Sequence, residues 1–400
     1  MASFRNPFRP GAGHMPPYLA GREAAVDEVL SYLEQDVILT NVVLTGLRGV
    51  GKTVLLETIK PHAMARQWQW VGTDLSESAS ISEESMATRL LADLAVVTSS
   101  MPVRRVERRG AGFTAKKESY VQTLGFESLQ AIYAQAPGLV ADKLKAALEW
   151  AWQNVPTRFK GKGVVFAYDE AQNLADHARK EQYPLSMLLD VFQSLQKKGL
   201  PYLLILTGLP TLFPKLVEAR TYAERMFHVV VLDRLVDDES REAITRPTDP
   251  PDCPVKFDAD TVRKIVAESA GYPYFVQFFA REVFDVFVAL DAGQRKAPIA
   301  AIVNKLDADF FAGRWARATD RQRELMSIIA GLPNAEGEFS VQEIVSRSRE
   351  SPDKAFSPSH ASQMLAALAS SGLVYKNRHG RYAFAVPLLA RFIRRQPALS

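Results

Sequence analysis

The stretch Asn41-Val42-Val43-Leu44-Thr45-Gly46-Leu47-Arg48-Gly49-Val50-Gly51-Lys52-Thr53 joins an apolar β-run to a helical segment that continues to about Lys60. Between them lies Gly-x4-Gly-Lys-Thr, in the strand–turn–helix context that a phosphate-cradling loop requires. The glycines let backbone N–H groups turn inward around a phosphate, and the following helix N-terminus adds partial positive charge. Gly46, Leu47, Arg48, Gly49, Val50, Gly51, Lys52 and Thr53 are therefore expected to hold a nucleotide. Lys52 is placed to bridge the β- and γ-phosphates, and Thr53 to ligate Mg²⁺. The plain alternative is a chance glycine-rich turn ahead of a helix.

Four more apolar runs read as strands: Trp68–Leu75, Gly163–Asp169, Tyr202–Thr207 and His228–Leu232. All five are continuous rather than alternating, the pattern of strands buried on both faces in a parallel sheet covered by helices. The third ends Tyr168-Asp169-Glu170, which delivers two carboxylates at the strand's C-terminal end, where open α/β sheets bind ligands. Asp169 is expected to hold Mg²⁺ through water, and Glu170 to polarise an attacking water as general base. A helix N-cap is the competing reading of this pair. Thr207 ends the fourth strand and is expected to contact the γ-phosphate or the water, unless it only terminates the strand.

Almost 90 residues separate the second and third strands, far more than one crossover helix needs. Helices are expected near Glu83–Val97, Phe126–Ala136 and Ala141–Asn154, with a basic loop over Met101–Lys117. From Asp237 to Gly313 the pattern is helical. From Thr319 three helices, a hairpin (Leu373–Lys376 and Arg381–Ala385) and a last helix follow, which is a winged-helix pattern. The expected division is a core over 1–235 with a basic insertion at about 76–160, a helical lid over 236–315, and a winged helix over 316–400.

Taken together, Tyr18-Leu19-Ala20-Gly21-Arg22-Glu23, the phosphate loop, Asp169-Glu170, Thr207 and Gly271-Tyr272-Pro273 resemble the AAA+/STAND superfamily of P-loop ATPases. The closest type is the initiator-like (origin-recognition-like) ATPase with a C-terminal winged helix. The resemblance implies an ATP/ADP- and Mg²⁺-dependent ATPase. It also implies that Gly21 and Arg22 lie near the adenine and that Pro273 approaches the base. In such proteins an arginine before the fifth strand serves the neighbouring subunit's γ-phosphate. Arg220 and Arg225 lie there, and Arg225 is preferred by position; a solvated helix-end arginine is the alternative. Many members carry an arginine just after the lid glycine. Here Tyr274-Phe275-Val276-Gln277 follows Pro273 and the next arginine is Arg281, which suits a slow STAND-type switch.

The 400 residues include 49 Lys+Arg and 45 Asp+Glu, for a net charge of +4. A hydrophobic content of 47% excludes a largely disordered chain. The single cysteine, Cys253, excludes an internal disulfide and a cysteine-based zinc site. No apolar run approaches the roughly 18 residues of a membrane span, so a cytoplasmic protein is expected.

The charge is unevenly placed. Residues 316–400 hold twelve Lys/Arg against seven Asp/Glu, and the Met101–Lys117 segment nets +5. Lys376, Arg378 and Arg381 on the wing, and Arg104, Arg105, Arg108 and Arg109 in the insertion, are candidate nucleic-acid contacts. A solvated charge run and a winged helix used for packing are the alternatives. The sequence therefore reads as an ATP-hydrolysing switch associated with DNA, or as a STAND-type signalling or defence ATPase whose winged helix regulates it. A homo-oligomer and a separate effector protein are the further partners expected.

Overall fold

The computed structural model describes residues 4–11, 13–109, 117–154, 161–350, 355–378 and 380–397, with the backbone alone for 102–109 and 117–122. The core strands are β1 (Asn41–Thr45) and β2 (Trp68–Val71), then β3 (Pro102–Arg109) and β4 (Lys117–Thr123) in the insertion. They are followed by β5 (Gly163–Tyr168), β6 (Tyr202–Gly208) and β7 (Phe227–Val231). A five-stranded sheet runs in the order β2-β5-β6-β1-β7 with every pairing parallel. β2 stops at Val71, short of the expected Leu75, and only an isolated bridge between Asp74 and Asp169 carries the pairing on. Gly72 intervenes at φ +118°, where a Cβ would collide with the Ala167 carbonyl.

The two faces explain the continuous apolar runs. Along β5, Val164, Phe166 and Tyr168 pack under the helices at 83–98, 140–154 and 184–197. Val165 and Ala167 face the helices at 23–32 and 52–65. Successive side chains point to opposite faces, so a strand covered twice has no polar side to show.

At the base of the sheet one polar node is buried. Asn41, fully buried, accepts from the Leu204 N–H at 2.8 Å and exchanges amide hydrogen bonds with Gln196 at 3.1 and 2.7 Å. Gln196 also donates to the Tyr202 carbonyl at 2.8 Å. The node ties β1 to β6 and to the helix at 184–197.

The insertion holds helices at 83–98, 126–135 and 140–154. Its basic segment is not a loop: β3 and β4 pair antiparallel from Pro102/Thr123 to Arg109/Lys117. The sequence reading weighed arginine density over the β-forming Val103, Val106, Tyr120 and Val121 that favour the ribbon. Residues 110–116 lie outside the described residues.

The lid helices span 237–245, 259–269, 273–288 and 299–306, and a π-helical turn over 307–311 leads into a short helix at 312–316. Beyond them come helices at 320–330, 341–348, 358–370 and 389–395. They surround a sheet of β8 (Phe339–Ser340), β9 (Val374–Arg378) and β10 (Arg381–Phe384) in the order β8-β10-β9. Thr319 with Gln322, and Ser340 with Glu343, form capping boxes that start two of these helices. His379, in the wing turn, lies outside the described residues. Lid and winged helix share one core, in which Phe311 stacks on Phe392 at 5.1 Å. Phe8 of the N-terminal arm is buried in the same core. Cys253 is buried there too, its thiol donating to the Val255 carbonyl at 3.1 Å.

Replacing Asn41 by Ala leaves the Leu204 N–H and the Gln196 amide oxygen buried without these partners, the Gln196 NH2 keeping its bond to Tyr202. Unfolding free energy is expected to fall by about 2–3 kcal/mol, read as a lower urea midpoint at unchanged slope.

Candidate functional site

β1 ends against the neighbouring strands, and its chain turns sharply at Gly46. A Cβ there would come within 2.4 Å of the Leu232 carbonyl, so the loop leaves the sheet by a path closed to larger residues. Gly49 and Gly51 adopt positive φ. Gly51 caps the helix at 52–65 without any side-chain cap, which leaves its first N–H groups free for an anion. Lys52 folds back and donates to the carbonyls of Gly46 at 2.9 Å and Leu47 at 3.0 Å. Burial lowers its ammonium pKa, and the carboxylates of Asp169 and Glu170 oppose that shift.

Asp169 is buried at the end of β5. It accepts from the hydroxyls of Thr53 and Thr207 and, at 2.8 Å, from the Glu170 N–H. Thr207 is fully buried and directs its hydroxyl to Asp169. Glu170 follows in the left-handed region at φ +52°, exposed toward the cavity. Its carboxylate accepts from the Gln172 side chain, whose own carbonyl accepts from the Leu209 N–H at 3.2 Å. Gln172 also lines the cavity; no sequence signal singled it out.

Lys52, Thr53, Glu170 and Gln172 border a cavity of about 600 Å³, and the buried Asp169 and Thr207 stand back from its lining. Its floor is Arg48–Val54 with Glu170. The lid supplies Pro273 and Tyr274, and the Tyr274 N–H donates to the Gly49 carbonyl at 3.1 Å, so the lid helix docks on the phosphate loop. The N-terminal arm supplies a third wall with Arg9, Gly11, His14 and Tyr18. Asn6 fastens this arm to the lid by donating to the Arg281 carbonyl at 3.0 Å and to Asp285 at 2.7 Å. The sequence reading placed only Gly21 and Arg22 of this segment near the site.

Arg22 lines the cavity but is itself buried and committed. It donates to the carbonyls of Gly21 at 3.0 Å, Val50 at 3.0 Å and Asp233 at 2.7 Å. Gly21, at φ +59°, lies against the Glu239 carboxylate. The segment thus braces the phosphate loop against the strand leaving β7.

No arginine stands just after the lid glycine, the next in sequence being Arg281, but another enters the cavity from farther along the chain. Arg314, in the short helix after the π-helical turn, lines it half-buried, with its guanidinium 4.2 Å from the Phe310 ring centroid. Burial, with Arg48 next, lowers its pKa. It lies more than forty residues after Gly271, beyond the reach of a local motif. Arg48 is exposed and its guanidinium sits 3.4 Å from where a Cβ on Gly372 of the winged helix would stand.

The remaining candidates lie elsewhere. Arg220 is held bidentately by Asp190 at 3.0 and 2.7 Å, whereas Arg225 is exposed with no ion pair among the described residues. Arg378 pairs with Glu338 at 2.8 Å and Arg381 with Glu343 at 3.0 Å, while Lys376 is exposed. Arg391 and Arg395 of the last helix reach Glu336 and the lid residue Asp307 at 2.9 and 2.5 Å. Arg104, Arg105, Arg108 and Arg109 lie on β3 of the hairpin. Among the described residues no group of three or more His, Cys, Asp or Glu is poised to hold a metal. The adjacent Thr53 hydroxyl and Asp169 carboxylate are hard oxygen donors, and such a pair suits Mg²⁺ completed by phosphate oxygens and water.

Solved structures share this architecture end to end. The ORC2 protein of Aeropyrum pernix, solved as ADPNP and ADP complexes, is 12% identical over 96% of each chain, with a TM-score of 0.53. Its ADP form is 13% identical over 96% of this chain and 95% of that one, with a TM-score of 0.50. The ORC1 protein of the same organism, solved in complex with DNA, is 14% identical over 94% and 93%, with a TM-score of 0.48. A sequence family described as a domain of unknown function, DUF8462, matches residues 308–393. No curated protein matches the chain by sequence. No described helix is long and apolar enough to cross a membrane. The protein has the fold of the initiator-like AAA+ ATPases: a five-stranded parallel α/β core, a helical lid and a winged helix.

Proposed function

We propose that the protein is an ATP-binding and ATP-hydrolysing molecular switch. One observation carries this reading: the phosphate loop, Glu170 and the lid line one cavity, and the Thr53 that lines it bonds Asp169. The free N–H groups of the loop and Lys52 would hold the β- and γ-phosphates. Thr53 and Asp169 would hold Mg²⁺, which when bound neutralises developing phosphate charge. Glu170 accepts a proton from the attacking water, so the β–γ bond breaks with ADP as leaving group. To act, its carboxylate must exchange the Gln172 amide for that water. Arg314 adds a further cation for the terminal phosphate, and Arg225 is the candidate for an arginine supplied in trans to a neighbouring subunit.

Nucleotide state would reach the winged helix through Arg48 beside Gly372 and through the core that lid and winged helix share. For the output, the excess of basic residues supports DNA as partner, with Lys376 an exposed wing cation that has no ion pair among the described residues. The Arg395–Asp307 pair, which crosses from the winged helix to the lid, favours the second reading, a winged helix that regulates the ATPase by packing on it.

Lys52→Ala is expected to abolish nucleotide binding or turnover. Glu170→Gln should retain ATP binding while turnover falls by about 10²–10⁴-fold; turnover at the wild-type rate would remove Glu170 from the mechanism. Arg314→Ala should weaken ATP binding about tenfold, equivalent to ~1.4 kcal/mol, and ADP binding far less. A mobility-shift titration over a salt series distinguishes the two outputs. A DNA partner predicts that Lys376→Ala/Arg378→Ala/Arg381→Ala lowers affinity and flattens the salt slope. A regulatory winged helix predicts no shift at physiological salt and a changed ATPase rate in the same variant.

A further inference from the structure

A buried acid with no part in the site described above lies directly behind it. Asp93, on the insertion helix at 83–98, is 4% exposed, although it stands among apolar residues. Arg89 grips it bidentately at 2.9 and 2.6 Å. Its remaining partner is Tyr168, fully buried, whose hydroxyl donates to it at 2.7 Å. Tyr168 is the last residue of β5, and the next residue is Asp169.

Strand alternation sets these two side chains back to back. Tyr168 enters the core on the insertion side, and Asp169 turns to Thr53 and Thr207 on the nucleotide side. The backbone at this strand end is fastened to the start of the insertion as well. Leu75 N–H donates to the Asp169 carbonyl at 2.9 Å, and the Asn173 amide donates to the Leu75 carbonyl at 3.0 Å. A buried carboxylate bound to a phenol on one side and a guanidinium on the other is demanding to maintain and fixes the phenol in one place.

We propose that Asp93 is a positioning residue for Asp169: with Arg89 it fixes Tyr168, and through that strand end it sets the carboxylate that holds Mg²⁺. The insertion is on this view an input to the nucleotide site. The inference rests on the nucleotide-switch reading.

The test is binding of a fluorescent ATP analogue to the full chain, with and without Mg²⁺. Wild type should bind more tightly with Mg²⁺. Tyr168→Phe, which keeps the ring and removes the hydroxyl, should leave Mg²⁺-free affinity within about twofold and lose about five- to tenfold of the Mg²⁺-dependent gain. Asp93→Asn should lose as much, and the double variant no more than either single one. Tyr133→Phe, which removes the 2.7 Å bond to Glu84 on the same helix, should bind like wild type. If Asp93→Asn does not fold, Tyr168→Phe alone decides. An undiminished Mg²⁺ gain in Tyr168→Phe overturns the proposal, as does equal weakening without Mg²⁺. A wild type that binds no nucleotide overturns the switch reading instead.

Discussion

Three segments of the core meet at one carboxylate. Asp169 accepts from Thr53 after β1, from Thr207 at the end of β6, and from the backbone that follows β5. A carboxylate out of water persists only where its lone pairs are occupied or a cation lies near. Three donors and the ammonium of Lys52 meet that condition here. The same bonds fix the phosphate loop relative to the ends of β5 and β6, and the lid then docks on that fixed edge through Tyr274 and Gly49. Disturbing any of these contacts would reach the others through the shared oxygen atoms.

The core was legible in the sequence because its physics is local. Five apolar runs without alternation require covering on both faces, and Gly46 to Thr53 mark the turn from strand to helix from adjacent positions alone. Capping residues such as Thr319 and Ser340 set the winged-helix boundaries to within a residue or two. What escaped depends on distance along the chain. Arg314 enters the cavity only because the π-helical turn at 307–311 carries it there. The arm from Asn6 to Tyr18 became a wall of the site through a lid helix more than 260 residues away. The basic hairpin was missed for another reason: its arginines outweighed the β-branched and aromatic residues between them.

Charge counting had the same limit. An excess of arginine in the winged helix says nothing about which carboxylates face it. Glu338 and Glu343 meet the wing arginines within their own domain, and Asp307 meets Arg395 across the junction with the lid. Exposed pairs of this kind contribute only about 0–1 kcal/mol each, so they can exchange partners. A polyanion would compete with those carboxylates rather than meet bare cations, whereas Lys376 has no such carboxylate partner among the described residues.

Arg22 has a mechanical consequence. The chain passes between the core and the shared lid–winged-helix body twice near this residue, once along the N-terminal arm and once after β7. Its guanidinium belongs to the first crossing and bonds the Asp233 carbonyl of the second, and it also bonds Val50 of the phosphate loop. The two crossings are thereby pinned to each other and to the phosphate loop. Phe311, Phe392 and Trp315 pack together and join the lid to the winged helix beyond this point. A rearrangement of the loop at Val50 would therefore be felt at both crossings at once.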